Sequence, residues 1–285
     1  MLTLIVERGA PPSGPGGRQV SVWRDNDGGV FARAWVDGEH SRLEWQHLGT
    51  FIFDRVSPVV RVWPAPGATA SVVDDVFGRI LQPIILQAQG LQSLHASAVL
   101  GAEGALAFCG TGYSGKSTLA YALGRRGFQH IADDAVVIER ARKPVAVRLM
   151  PFTPGLREPT LRHFDTNEPS VAALATVGSL VPLRAIFLLE QDSHAPRPER
   201  PTRIPPVQAF SALVTHARCF DEGDAAHTRR LVNDYLAIVE EVPVFALRYP
   251  PHFGQLRDLL ELVERESREL GVTPFDRPHS LAAIR

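Results

Sequence analysis

The sequence predicts an α/β protein: a mixed helix–strand core (residues 71–285) behind a β-rich N-terminal module (residues 1–70). Three observations predict it. Residues up to about Trp63 form short segments rich in β-branched and aromatic residues, separated by turn clusters. From Ser71 the apolar spacing becomes helical, with Val72, Val76, Ile80, Ile84 and Ile85 on one face. Beyond that point strands and helices interleave, and one strand runs into a glycine-rich turn that opens a helix.

The elements follow in order. Leu2–Val6 is a first strand; its apolar run is too short, and lacks a preceding basic region, for a signal peptide. Gly9–Arg18, rich in proline and glycine, reads as a mobile loop. Gln19–Trp23, Val30–Val36, Thr50–Phe53 and Val59–Trp63 are strands, divided by Asp25-Asn26-Asp27-Gly28-Gly29 and Pro64-Ala65-Pro66-Gly67. The helix from Ser71 carries Asp74 and Asp75 in its first turn and is interrupted at Pro83. Leu94–Leu100 and Ala105–Cys109 are strands. A helix from Lys116 to Arg126 is closed by Gly127. His130–Ala132 and Val136–Ile138 flank an Asp133-Asp134 pair. Arg184–Leu189 is a buried strand, Gln191–Pro206 a surface loop, Val207–His216 and Ala225–Glu240 helices, Val244–Leu247 a strand, and Gln255–Glu269 an amphipathic helix ending at Gly271.

Composition excludes several functions. Thirty Lys and Arg against 31 Asp and Glu give a net charge of −1, without the basic footprint of a nucleic-acid binder. Two cysteines, Cys109 and Cys219, cannot build a disulfide framework or a four-cysteine zinc site. The apolar region Ile80–Val99 is broken by glutamines and His95 and cannot cross a bilayer. The expectation is a reduced, cytoplasmic protein with no nucleic-acid or membrane partner. Oligomeric state is open, a homo-oligomer included.

Gly110-Thr111-Gly112-Tyr113-Ser114-Gly115-Lys116-Ser117 matches G-x-x-x-x-G-K-[ST], with Thr118 next on the helix. Its glycines let successive amides point inward as an anion nest. The helix start adds its positive end. Lys116 supplies a charge for the β- and γ-phosphates of a nucleoside triphosphate, and Ser117 a hydroxyl ligand for magnesium. By chance the motif arises in roughly one chain per hundred of this length, and here an apolar strand precedes it and a helix follows.

Asp133 and Asp134 follow Lys116 by 17 and 18 residues. A strand starting there is expected to run beside the phosphate-loop strand. Adjacent residues on an extended chain point to opposite sides, so one carboxylate can face a metal and the other the transferred group. A surface turn is the alternative reading of the pair. His95, on the expected neighbouring strand, reads either as a hydrogen-bonded core histidine or as the group that orients a catalytic carboxylate. Arg157, Arg162 and Arg184 are candidate anion contacts or solvated surface charges.

These motifs occur in an order that resembles the catalytic domain of HPr kinase/phosphorylase and its relatives. The resemblance spans Leu94–Glu139: His-x-x-x-Val from His95, the glycine-rich loop, Arg126-Gly127, and Ala132-Asp133-Asp134-x-Val. It extends to Pro151–Arg157, similar to the Pro-x-Leu-Arg segment of HPr kinase-related proteins. The resemblance implies a phosphate-loop kinase core of the phosphoenolpyruvate carboxykinase type, using ATP and Mg²⁺. It implies that Asp133 is the base on an acceptor hydroxyl, helped by His95, with Lys116 on the phosphates and Ser117 and Asp134 on the metal. The family's glycine-rich signature with a later glutamate has no match here; Glu158 is the nearest carboxylate to its place and the implied third metal ligand, and Arg157 the nearby substrate or phosphate contact. Relatives of this size and layout include kinases of lasso peptide precursors. The implied partner is therefore a peptide or protein bearing a serine, the C-terminal serine of such a precursor included. A small-molecule kinase and a nucleotide-binding regulatory module without phosphotransfer are the alternatives.

Overall fold

Alternation of apolar and polar residues builds a six-stranded sheet from the N-terminal third. Its strands are β1 (Thr3–Val6), β2 (Arg18–Arg24), β3 (Val30–Asp37), β4 (His40–Trp45), β5 (Gly49–Asp54) and β6 (Val59–Pro64). β2 to β6 form an antiparallel meander and β1 adds parallel to β6, so the sheet is mixed. Ala34, Leu43, Phe51, Phe53, Val60 and Val62 bury one face. The sequence did not announce β4, because one of its buried inward positions is the polar Ser41 and Leu43 is its single aliphatic residue. The computed structural model describes residues 2–14, 16–25, 27–140, 143–166 and 177–275. Asn26 of the turn cluster, Pro15 of the loop and the end of the core after Phe275 lie outside the described residues.

The helical segment consists of α1 (Ala70–Val76), a π-helical turn (Phe77–Leu81) and α2 (Gln82–Ala88). Thr69 caps α1 by accepting from Val72 N. Pro83 lies where the π-helical turn runs into α2, and without an N–H it cannot donate back into that turn, so the regular hydrogen-bond pattern is interrupted there. The chain divides into two compact units, Met1–Leu91 with Cys219–Val232, and Gln92–Arg218 with Asn233–Arg285. These limits differ from a division at residue 70. Gln89 Nε2 donates to Asp54 O (2.9 Å) and Ser57 O (2.7 Å), tying α2 to the strands. Gln87 Oε1 accepts from Phe220 N at 2.7 Å, and buried Asp221 accepts from Arg18 at 2.7 Å, which brings the later segment in.

The second unit holds β7 (Gln92–Leu94), β8 (Ala96–Gly101), β9 (Gly104–Cys109), α3 (Lys116–Gly124), β10 (Gln129–Ala132), β11 (Val136–Glu139), β12 (Ala146–Arg148), α4 (Glu158–His163), β13 (Leu180–Gln191), β14 (Thr202–Ile204), α5 (Pro206–Val214), the later part of α6 (Ala225–Glu241), β15 (Val244–Tyr249) and α7 (Leu256–Glu269). β13 belongs to two ladders. Its start pairs antiparallel with β12, and its remainder runs parallel to β9 on one side and β15 on the other. Phe108, Phe187 and Phe245 are register partners on β9, β13 and β15, with ring centroids 5.6 and 5.5 Å apart. They pack in one core with Leu119 and Leu123 of α3 and Leu259, Leu260 and Val263 of α7. Each such buried side chain contributes about 1.5–3 kcal/mol. The parallel run matters because β9, β13 and β15 end together, and ligands in α/β sheets bind beyond the carboxyl ends of parallel strands.

Several expectations are corrected. The strand foreseen at Leu94–Leu100 breaks at His95 into β7 and β8, which lie in different ladders. The strand at Val136 does not run beside β9: β11 pairs with β7 and β12, while β8 separates β10 from β9. Gln191–Pro206 contains β14, and β12 and α4 were not foreseen.

Candidate active site

The loop between β9 and α3 is shaped by close approach at both ends. A Cβ on Gly110 would lie 2.5 Å from Ser114 Oγ and 3.1 Å from Leu189 O. Gly115, the residue before α3, has φ +83°, and a Cβ there would stand 3.1 Å from Tyr249 Oη. Leu119 N is the first amide of α3 to bond back, to Gly115 O at 2.9 Å, so the amides of Lys116, Ser117 and Thr118 are the unpaired start of the helix. Such amides and the helix dipole favour an anion. Gly115→Ala is expected to destabilise the second unit by about 1–2 kcal/mol, the cost of a left-handed non-glycine residue. Urea unfolding followed by circular dichroism measures it, and an unchanged midpoint would contradict it.

Lys116 is only 6% exposed and folds over the loop, with Nζ donating to Gly110 O (2.9 Å) and Thr111 O (3.0 Å). Burial lowers its pKa below the ordinary lysine value, opposed by the charges of Asp134 and Asp133. The ends of the neighbouring strands strap the loop. Tyr249 donates its hydroxyl to Ser114 O, and Gln191 Nε2 donates to Tyr113 O at 3.1 Å. Tyr113 itself sits at φ +69° with its ring 80% exposed, and the Arg157 guanidinium lies 3.4 Å above the ring centroid. Thr118 Oγ1 and Thr160 Oγ1 are 2.8 Å apart, linking α3 to α4.

Asp133 and Asp134 form a tight turn after β10, with Ala135 N donating to Asp133 O at 2.8 Å. Asp133 is 7% exposed and takes four hydrogen bonds: Ser97 Oγ (2.5 Å), Ser117 Oγ (2.8 Å) and Asp134 N (3.2 Å) on Oδ1, and Gly155 N (2.7 Å) on Oδ2. The expected pairing of Ser117 with Asp134 is therefore replaced by Ser117 with Asp133. Asp134 stands at a left-handed backbone, φ +62°, so the pair is a turn and not the extended chain on which one carboxylate would alternate with the other; the placing of Ser117 with Asp134 rests on the resemblance. Gly155 approaches both carboxylates: a Cβ there would lie 3.5 Å from Asp133 Oδ2 and 3.7 Å from Asp134 Oδ2.

His95 reaches the Asp134 backbone rather than the Asp133 carboxylate. Its Nδ1 lies 3.2 Å from Asp134 O and 3.5 Å from Arg218 Nη2; the tautomer that donates to the carbonyl has its proton on Nδ1 and its lone pair on Nε2. Arg218 Nη2 donates to the same carbonyl at 2.7 Å. Burial, then the Lys116 charge, lowers the His95 pKa, so the ring is neutral near pH 7. His216 is lowered in the same way, by burial and then Lys116. His95 N donates to His216 O and Arg218 N to Ser93 O, each at 2.8 Å, which brings this late segment to the site.

A pocket of about 360 Å³ joins these groups, with His95, Lys116, Ser117 and Asp134 toward one end and Pro250, His252, Phe253 and Leu259 toward the other. Gly112, Tyr113, Gly115, Thr118 and Arg157 also line it. Glu158 does not. Its side chain is 72% exposed and pairs with Arg162 one helical turn on, so the expectation of a metal ligand there is corrected. Arg162 is thereby engaged, and Arg184 packs beside Gly104, away from the pocket. Sequence reasoning missed Ser97, Gly155, Gln191, Arg218 and Tyr249. Ser97 and Gly155 stand at the unspecified positions of His-x-x-x-Val and Pro-x-Leu-Arg, and Gln191, Arg218 and Tyr249 belong to no local motif; strand register and loop packing deliver them.

Comparison with known proteins adds little to this geometry. No family model matches the sequence, and no curated protein matches it. Forty-six chains of solved structures match. One is the Hpr(Ser) kinase/phosphatase from Coxiella burnetii, 15% identical, covering 63% of this chain and 93% of its own, with a TM-score of 0.36. Residue roles therefore rest on the contacts described above. Among the described residues, no helix is long and apolar enough to cross a membrane.

Proposed function

We propose that this chain is an ATP- and magnesium-dependent kinase that phosphorylates a serine hydroxyl of a peptide or protein. The observation that carries the reading is the Ser117–Asp133 hydrogen bond of 2.8 Å beside Lys116 at the start of α3. In phosphate-loop nucleotidases a loop hydroxyl and a nearby aspartate hold Mg²⁺. The donor set fits: one hydroxyl and one carboxylate are hard oxygen ligands, and magnesium keeps several waters. The bound ion would neutralise charge on the β- and γ-phosphates. Ser117 and Asp133 would hold it, and Ser97 and Gly155 N keep Asp133 in place. Lys116 would exchange its two loop carbonyls for phosphate oxygens.

Asp134 and His95 then stand on the acceptor side. Both line the pocket, and the protonated Nδ1 of His95 leaves its Nε2 as a base. This exchanges the two aspartates relative to the family-based expectation. A fold of the HPr kinase/phosphoenolpyruvate carboxykinase type and a lasso peptide precursor as acceptor are finer readings supported by the sequence resemblance alone, and a cytoplasmic setting is supported by cysteine usage.

The test is incubation with γ-labelled ATP and serine-containing peptides, with the phosphate located by mass spectrometry. In the same assay Asp133→Asn is expected to raise the magnesium concentration for half-activity about tenfold, a typical effect of altering a metal's surroundings, and Asp134→Asn to leave it unchanged. Coincident magnesium curves for Asp133→Asn and wild type would overturn the assignment, and no labelled peptide the reading itself.

A further inference from the structure

One cavity of the first unit lies away from any motif. It measures about 640 Å³ and opens at the end of the sheet where β3 begins and β6 ends. Phe31, Trp45 and Trp63 line it, with Phe31 and Trp45 ring centroids 5.2 Å apart. Arg33 and Arg42 supply its donors. Arg42 is held rigid, because Nε and Nη2 both reach Glu44 Oε1 at 2.8 Å. Arg33 faces Glu44 across the β3–β4 register and makes no ion pair among the described residues.

The chain supplies its own clue to what fits there. Pro11 lines the cavity, and Pro12 O accepts a hydrogen bond from Arg42 Nη1 at 2.8 Å. A Pro-Pro step has no N–H groups; it presents ring methylenes and outward carbonyls. Aromatic faces with a fixed guanidinium donor are the complement of that surface, as in grooves that read extended proline-rich segments. We infer that this cavity is a docking groove for an extended, proline-containing peptide segment, and that Pro11-Pro12 occupies its first step. Arg42 binds the first carbonyl and Arg33 is placed for a later one. The loop acts as an internal competitor, so an incoming segment gains affinity when the loop is displaced.

The test uses the full chain. All four tryptophans, Trp23, Trp35, Trp45 and Trp63, lie in the first unit, so intrinsic fluorescence reports on this groove. Decaproline is titrated, with a glycine–serine decapeptide as control. Saturable quenching by decaproline alone is expected. The Pro11→Gly/Pro12→Gly variant is expected to bind about tenfold more tightly, as removal of an intramolecular competitor demands, and Arg42→Gln about tenfold more weakly. Arg33→Gln serves as the second donor variant if Arg42→Gln fails to melt cooperatively. Absence of decaproline binding to both the wild type and the proline variant, equal quenching by the control peptide, or unaltered affinity in the donor variants would overturn the inference. The assay needs no phosphotransfer and stands apart from the kinase reading.

Discussion

Lys116→Ala is expected to abolish phosphotransfer, with a transition-state cost of about two to four kcal/mol. Two effects combine. The ammonium is a buried positive charge at the loop that opens α3, where burial lowers its pKa. It also ties Gly110 O to Thr111 O, so its loss leaves two inward carbonyls facing any incoming anion. ADP affinity measured by calorimetry is expected to fall along with turnover. A variant with wild-type turnover would remove the phosphate-loop reading.

Asp134→Asn is expected to lower turnover by at least about a hundredfold, the low end of general-base contributions. Asparagine tolerates the left-handed backbone that Asp134 adopts, so the turn should survive and only the carboxylate's charge is lost. ATP affinity should barely change. His95→Ala should fall in the same direction but less far, and the double variant should lose less than the product, because partners in one unit are not additive. The pH profile separates the two. The lowered His95 pKa means its neutral form fills as pH rises, from a midpoint below the ordinary histidine value of 6.5. Wild-type activity should therefore rise with pH on the acid side and level off by neutrality; His95→Ala should lack that limb. If Asp134→Asn instead loses ATP affinity and keeps turnover, the acceptor is oriented by another group.

What was legible in the sequence was what is local. The loop from Gly110 to Ser117 is contiguous, and its strand and helix flanks follow from patterning that any neighbouring residues would impose. His95 and Asp134, both singled out in the sequence, line one pocket with the loop, and Asp133 hydrogen-bonds Ser117. Their partners were not legible. The positive φ at Asp134 makes the pair a turn, and no alternation rule anticipates it. Glu158 failed because α4 was invisible: once the segment is helical, Arg162 is one turn away and claims the carboxylate. Arg218 reaches the site through a bridge between Leu94 and Ala217, a contact separated by more than a hundred residues of chain. The N-terminal unit was read as β-rich correctly, yet its limits depend on the Gln87 and Gln89 side chains, which composition does not reveal.

The straps on the phosphate loop have a thermodynamic consequence. Tyr249 and Gln191 hold the carbonyls of Ser114 and Tyr113 from the ends of two strands anchored in the core by Phe187, Leu189, Phe245 and Leu247. The loop's conformational entropy is thus surrendered during folding, not during ligand capture. A triphosphate meets a loop already fixed in place, so association should need no slow ordering step.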